Sequence, residues 1–371
     1  MNFKAMNCVV LGVAAFAGCM VSRVDTALPG GATSSGVPMA AGDLDGDGLL
    51  DLVVAHKPVA GSGEARRAAS ALLSQGDGHF TSQFTPFSDA TARRVLLEDF
   101  NGDGKLDMAV LRKDADGLGP VVIYPGHGDG SFGGAVDQVG LVTPGGLAAG
   151  DLDGDGKLDL LISDGDTQSL IVARGNGDGT FGQETSYPGV WGRDIALGDL
   201  NGDGRLDAAV LGTEVRVLLN TGTGALQQRS STSVGPQPKA VAVADVNEDG
   251  DLDLVIVDAQ EELVRVLRGN GNGSFASAQT HKVGAGPEAV AVGDVDGNGH
   301  PDVVTANRKG NSVTVLVGSG GGAFDTKPLH LTVGEGPSSV TLADVSGDGV
   351  PEVITGNQTA GSVTVLRNTA L

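Results

Sequence analysis

The chain has 371 residues, more than one hydrophobic core usually serves, so two domains or a repeat architecture is expected. Its 61 Gly and 15 Pro stay below the level at which a chain stops packing, and 40% apolar content supplies a core. Lys and Arg number 24 against 46 Asp and Glu, and the resulting net charge of −22 excludes a generic nucleic-acid binder, which needs a cationic surface to neutralise phosphates.

Only two cysteines occur, Cys8 and Cys19, so the body of the chain carries neither a disulfide framework nor a thiolate metal site. Lys4 precedes an uncharged apolar stretch from Cys8 to Gly18 that is too short to span a bilayer, and residues 1–19 read as a targeting signal. Its end, Phe16-Ala17-Gly18-Cys19, resembles the bacterial lipoprotein signal, in which small residues precede the cysteine that receives lipid. Cys19 is therefore the candidate lipidation site, with ordinary cleavage and release as the alternative. Either route exports the protein, to the bacterial cell envelope or beyond it. Residues 20–36 read as a Gly/Ser-containing leader.

From residue 37 to 371 the chain repeats itself. Seven nine-residue segments share one register. At positions 1, 3, 5 and 9 they carry Asp43, Asp45, Asp47 and Asp51; Asp99, Asn101, Asp103 and Asp107; Asp151, Asp153, Asp155 and Asp159; and Asp199, Asn201, Asp203 and Asp207. Asp245, Asn247, Asp249 and Asp253 follow, then Asp294, Asp296, Asn298 and Asp302, and finally Asp344, Ser346, Asp348 and Glu352. Successive segments start 56, 52, 48, 46, 49 and 50 residues apart, which suits one four-stranded propeller blade per repeat.

Repeat five shows the reading within a blade. Ala240 to Ala244 is an apolar strand entering the acidic loop, and Leu252 to Val257 is a nearly continuous apolar run leaving it; both suit burial on two faces. Leu263 to Leu267 is a third strand. A Gly-Asn-Gly-Asn-Gly turn at 269–273 then precedes a polar strand near Gln279 to Val283. Repeat seven supplies only three strands, near Val340 to Ala343, Glu352 to Thr355 and Val363 to Leu366. The N-terminus has one to spare, so Val24 to Leu28 is expected to be the outermost strand of the last blade and to join the two ends of the ring. The expected fold is an all-β, seven-bladed propeller.

The acidic loops carry the chemistry. A hard divalent cation takes six to eight oxygens; positions 1, 3, 5 and 9 offer side-chain oxygens, and position 7 offers a carbonyl. Glycine stands at position 6 in all seven, where it permits the sharp turn. The acid falls at position 9 rather than 12 and strands flank the loop, which excludes an EF-hand. Ca2+ is preferred to Mg2+ because an acidic, adaptable loop suits the larger ion, and seven Ca2+ would bring the charge of −22 to about −8. The loops starting at 43, 99, 151 and 199 are expected to bind best. The last three, with Glu248 in place of Gly, Asn298 and Ser346, are expected to bind more weakly or not at all.

These loops, with the apolar strand after each (Leu52-Val-Val-Ala55, Leu254-Val-Ile-Val257) and the Gly-rich turn at 175–181, resemble the FG-GAP or VCBS repeats of exported bacterial proteins and are similar to the propeller of integrin α subunits. The resemblance implies Ca2+ loops between the first and second strands of each blade, on one face, that chiefly stabilise the disc. It also implies a protein or glycan partner on the other face.

Catalysis finds little support in six scattered histidines, His56, His79, His127, His281, His300 and His330, with no spacing for zinc or a triad. A non-enzymatic binding or adhesion module is the expected function. A lyase-like Ca2+-dependent enzyme acting on polysaccharide and a dedicated lectin are the alternatives. On the face opposite the acidic loops, Tyr187, Trp191 and Arg193 form a candidate ligand site, the two rings being suited to stack on a sugar. Arg66, Arg67, Arg93, Arg94, Arg112, Lys113, Arg308 and Lys309 fall in loops of the same side, either as solvated charge or as an attractor of acidic polymer.

Overall fold

Short apolar runs between Gly-rich turns dictate strands. The computed structural model, which describes residues 9–16, 19–28, 36–56, 67–86, 91–113, 119–139 and 143–368, contains 29 strands and, among the described residues, no helix. The strands form seven antiparallel sheets. Blades one to six span residues 39–86, 91–139, 144–188, 194–233, 238–282 and 287–332, each with four strands in chain order. Blade seven takes Pro337–Ala343, Glu352–Asn357 and Ser362–Asn368 from the C-terminus. Every first strand lies against the first strands of its neighbours, and Pro337–Ala343 lies against Met39–Gly42, so the ring is closed and these strands line its axis.

The second strand of each blade is buried on both faces, as in Asp51–Ala55, Asp159–Asp164 and Asp253–Asp258, which is why those segments read as continuous apolar runs rather than alternating ones. There are seven core clusters, one in each gap between adjacent blades. Val53 and Met108 meet between blades one and two, and Val54 and Ile354 between blades one and seven. Burial is thus a nearest-neighbour affair, and each blade depends on two others. Repeat five folds close to expectation, with strands at Pro238–Ala244, Asp253–Asp258, Leu263–Leu267 and Gln279–Lys282.

The N-terminus closes the ring. Cys19–Ala27 pairs with Ser362–Asn368 in a register running from Val21↔Asn368 to Ala27↔Ser362, longer at its start than the expected segment. Leu28 N–H extends the ladder to Gly361 O (2.8 Å), and Val24 and Leu28 are buried in the gap to blade one. In the full chain this strand is not outermost, because Val9–Phe16, within the expected targeting signal, adds a fifth strand beside it. Residues 1–8 and 17–18 lie outside the described residues.

Candidate functional site

Each acidic loop connects the first strand of its blade to the second. Position 1 follows the first strand, and position 9 opens the second. The position-1 carboxylate organises the turn. Asp151 accepts from the Gly154 N–H on Oδ1 (2.7 Å) and from the Gly156 N–H on Oδ2 (2.8 Å), and Asp43, Asp294 and Asp344 repeat the pattern. Position 6 is left-handed throughout, from φ +81° at Gly204 to +90° at Gly250, so its glycine is a conformational requirement.

Position 4 is left-handed too, which the sequence reading overlooked. Six glycines occupy it, and Glu248 holds the same conformation at φ +61° with a side chain. Its carboxylate meets His300 Nδ1 across the boundary between blades five and six at 2.8 Å. Glu248 stands where the other six loops have glycine, and with His300 it forms one inter-blade pair.

Position 9 is a different kind of carboxylate. It is fully buried in all seven loops and accepts a backbone N–H from position 2 of its own loop. In blades one to six its other oxygen accepts an N–H from the end of the third strand or the turn after it, at 2.7–2.9 Å. In blade seven Arg367 Nε occupies that place against Glu352, at 3.4 Å. Burial raises the pKa of all seven, to about 6 for Asp51 and about 7 for Asp302, with the neighbouring loop carboxylates adding to the rise at both.

Replacing Asp207 with Ala is expected to cost about 3 kcal/mol or more, because it strands the Leu200 and Asn220 N–H groups, now bonded at 3.0 and 2.7 Å, in the interior. Asp203→Ala, at an exposed loop position, is expected to cost less than about 1 kcal/mol. Denaturant titrations of both variants in chelator separate this structural role from any metal effect.

Four loops bring three carboxylate oxygens within 4.8 Å of one another: Asp43, Asp45 and Asp51; Asp151, Asp153 and Asp159; Asp294, Asp296 and Asp302; and Asp344, Asp348 and Glu352. Converging hard oxygens of this kind fit a divalent cation. Loops two, four and five carry Asn101, Asn201 and Asn247 at position 3, and Asn101 Nδ2 donates to Asp107 Oδ1 (3.1 Å). Third-strand arginines divide the four clusters further. Arg174 lies 2.6 Å from Asp159 and 3.5 Å from Asp153, and Arg367 lies 3.2 Å from Asp348. Among the described residues, no Lys or Arg pairs with the carboxylates of loops one and six. Loop six therefore stands beside loop one in its convergence of unneutralised carboxylates, which a count of ligands along the sequence does not show.

The loops also tie blades together. The Gly130 N–H of blade two donates to Leu44 O of loop one, Gly179 to Phe100 O, and Gly273 to Leu200 O, all at 2.8–3.0 Å. Asn220 Nδ2 reaches Leu152 O, and Ser74 Oγ reaches Val345 O across the closure. Gly130 can serve because a Cβ there would come within 2.7 Å of Leu73.

At the other end of the axis, the starts of the first strands and the loops after the second strands surround a cavity of about 370 Å3. Arg93, Arg94, Trp191, Arg193, Lys239 and Arg308 line it, and among the described residues Glu288 is the one lining carboxylate. Trp191 sits where blades three and four meet, bordering both this mouth and a side pocket with Arg216, and Arg193 is exposed in the mouth. Tyr187 lines neither cavity. It belongs to the outer strand Phe181–Pro188, packs into the gap between blades three and four, and accepts the Leu226 N–H on its hydroxyl (2.9 Å). Arg66 lies outside the described residues, and Lys309 lines an adjoining pocket with Glu335 that shares Glu288 and Arg308 with the mouth.

A family model described as FG-GAP-like repeat matches the chain at residues 43–110, 99–162, 151–210, 245–305 and 294–355, and all seven acidic loops fall inside these matches. No curated protein matches the sequence. Among solved structures, the chain is similar to an Agrocybe aegerita lectin described as recognising non-reducing terminal N-acetylglucosamine, at 19% identity over 91% of this chain and 87% of that one, with a TM-score of 0.56. It is similar to BBS1N, solved in complex with ARL6DN, at 12% identity over 91% and 94% with a TM-score of 0.62. A catalytically inactive virginiamycin B lyase from Staphylococcus aureus, solved with quinupristin, aligns at 10% identity over 94% and 99% with a TM-score of 0.58. At these identities the likeness is one of fold.

Proposed function

Since the chain belongs to the FG-GAP-like repeat family, we propose that it is an exported, Ca2+-stabilised propeller acting as a non-enzymatic binding module for a protein or glycan partner. The observation that carries this reading is the convergence of three carboxylate oxygens within 4.8 Å in four loops of one face. Asp43, Asp45 and Asp51 would hold one ion, and the corresponding residues of loops three, six and seven would hold others. A bound cation would supply charge compensation to acids that the fold otherwise packs against one another. Because the same loops accept hydrogen bonds from the next blade, rigidity gained in a loop passes to the blade interface. The metal face is thereby committed to structure, and the opposite mouth is left for a partner.

Four of the six histidines are held by neighbours within the fold. His56 is buried against Ser70, His281 packs edge-on to Phe324, His300 pairs with Glu248 and His330 with Thr314; none lines the mouth. Export and attachment of lipid at Cys19 belong to the same proposal. Cleavage before Cys19 would remove Val9–Phe16 and leave Cys19–Ala27 as the outer strand of blade seven, with the lipidated residue at its start. The test is binding of the Ca2+-loaded protein to an array of glycans and envelope polysaccharides, with a chelated sample in parallel and crosslinking on the cell surface beside it. A saturable partner that is recovered intact is the expected result. A glycan cleaved on contact would replace this reading with the lyase.

A further inference from the structure

The mouth opposite the acidic loops has the wrong charge for its protein. Acids outnumber bases nearly two to one in the chain, yet among the described residues five cations and one carboxylate line this cavity. Two of the five are matched: Arg94 pairs with Asp194 at 2.9 Å, and Lys239 with Glu288 at 2.9 Å. Among the described residues, none pairs with the guanidinium of Arg93, Arg193 or Arg308. Arg93 Nε and Trp191 Nε1 are buried without an acceptor. A concave, cationic basin in which three guanidiniums have no partner among the described residues is shaped for an anion.

Resting on the binding-module reading above, we infer that this mouth binds a single acidic sugar, a pyranose bearing a carboxylate, either free or as the end of a glycan. Guanidinium forks match a carboxylate in plane and charge, and three that are unpaired among the described residues line this cavity. Trp191 on the same wall supplies a flat apolar surface, which suits a sugar ring better than a bare inorganic ion. The volume, about 370 Å3, admits a small ligand and not a folded domain.

The experiment is calorimetric titration of the Ca2+-loaded full chain with glucuronate and galacturonate, and with glucose, galactose, acetate and sulfate in parallel. The expected result is saturable uronate binding at least tenfold tighter than that of either neutral sugar or either simple anion, weakening as salt rises. Arg193→Gln and Arg308→Gln, both at exposed positions, are each expected to weaken it tenfold or more, as is Trp191→Ala, while Lys282→Gln on an outer strand leaves it unchanged. Absence of uronate binding, equal binding of the neutral sugars, or sulfate and acetate binding as tightly as uronate overturns the proposal. Chelator melts on the same samples keep the two readings apart: a calcium-dependent melt without uronate binding defeats this inference and leaves the binding module standing.

Discussion

Removing Ca2+ from the loaded protein is expected to lower its melting temperature by about 10 °C or more at pH 8, the largest effect of any single change of conditions. An ion bound only by the native state at 100 times its Kd contributes about 2.7 kcal/mol, so four loops contribute about 11 kcal/mol, and a chain of this length loses about 1–2 °C per kcal/mol. Acidity works in opposite directions with and without the metal. In chelator, the native state keeps protons on buried carboxylates whose pKa values stand at about 6 for Asp51 and about 7 for Asp302, against an ordinary 3.8 in the unfolded chain. That stability is complete below about pH 4 and drains away as the pH rises through 6 and 7. Mutual repulsion in a chain of charge −22 adds to the loss. The metal-free protein should therefore melt higher at pH 5 than at pH 8. With Ca2+ present the order reverses, because the cation binds the deprotonated carboxylates and protons compete with it. Calorimetric scans at the two pH values with and without chelator give all four points, and identical melts at pH 8 would remove structural calcium from the account.

The frame of the molecule was legible because it is periodic. Seven acidic segments at one register, each followed by an apolar run, leave few alternatives to blades, and the missing fourth strand of repeat seven pointed to the N-terminus. What escaped the reading depends on which residues the ring brings together. Position 4 reads as one more glycine until its backbone is seen to be left-handed, and Glu248 reads as a defect until His300 appears opposite it in the next blade. Counting ligands along a loop does not include Arg174 or Arg367, which arrive from the third strand and share the carboxylates of loops three and seven. Tyr187 and Trp191 look like one aromatic pair in a short segment. A strand end falls between them, and one ring is turned to the blade interface and the other to the mouth. The cationic mouth is the extreme case, since Arg93, Arg193 and Arg308 belong to different repeats and meet only at the axis.

A chain starting at residue 29 is expected to melt about 10 °C below the intact protein, whereas one starting at Cys19 melts within a few degrees of it. The difference isolates the strand Cys19–Ala27 and Leu28 from the outer strand Val9–Phe16. Truncation at residue 29 removes Val24, Thr26 and Leu28, all under 9% accessible, and at about 1.5–3 kcal/mol for each of the two apolar side chains the lost burial is about 3–6 kcal/mol before the ladder is considered. It also removes the register from Val21↔Asn368 to Ala27↔Ser362, the Asp25–Thr364 hydrogen bond and the Arg23 contact with Thr332 O of blade six. Ser362–Asn368, buried from Ser362 to Leu366 in the intact sheet, then becomes the outer edge in place of a strand that carries Arg23 and Asp25, and an apolar unpaired edge recruits other chains. The shortened protein should accordingly associate on a sizing column where the Cys19 form does not. Closure matters beyond one blade, because each core cluster lies between neighbours and a loosened blade seven opens the gaps to blades one and six together. An unchanged melt and an unchanged elution volume for the chain starting at residue 29 would mean that the C-terminal strands hold the ring shut without the N-terminal one.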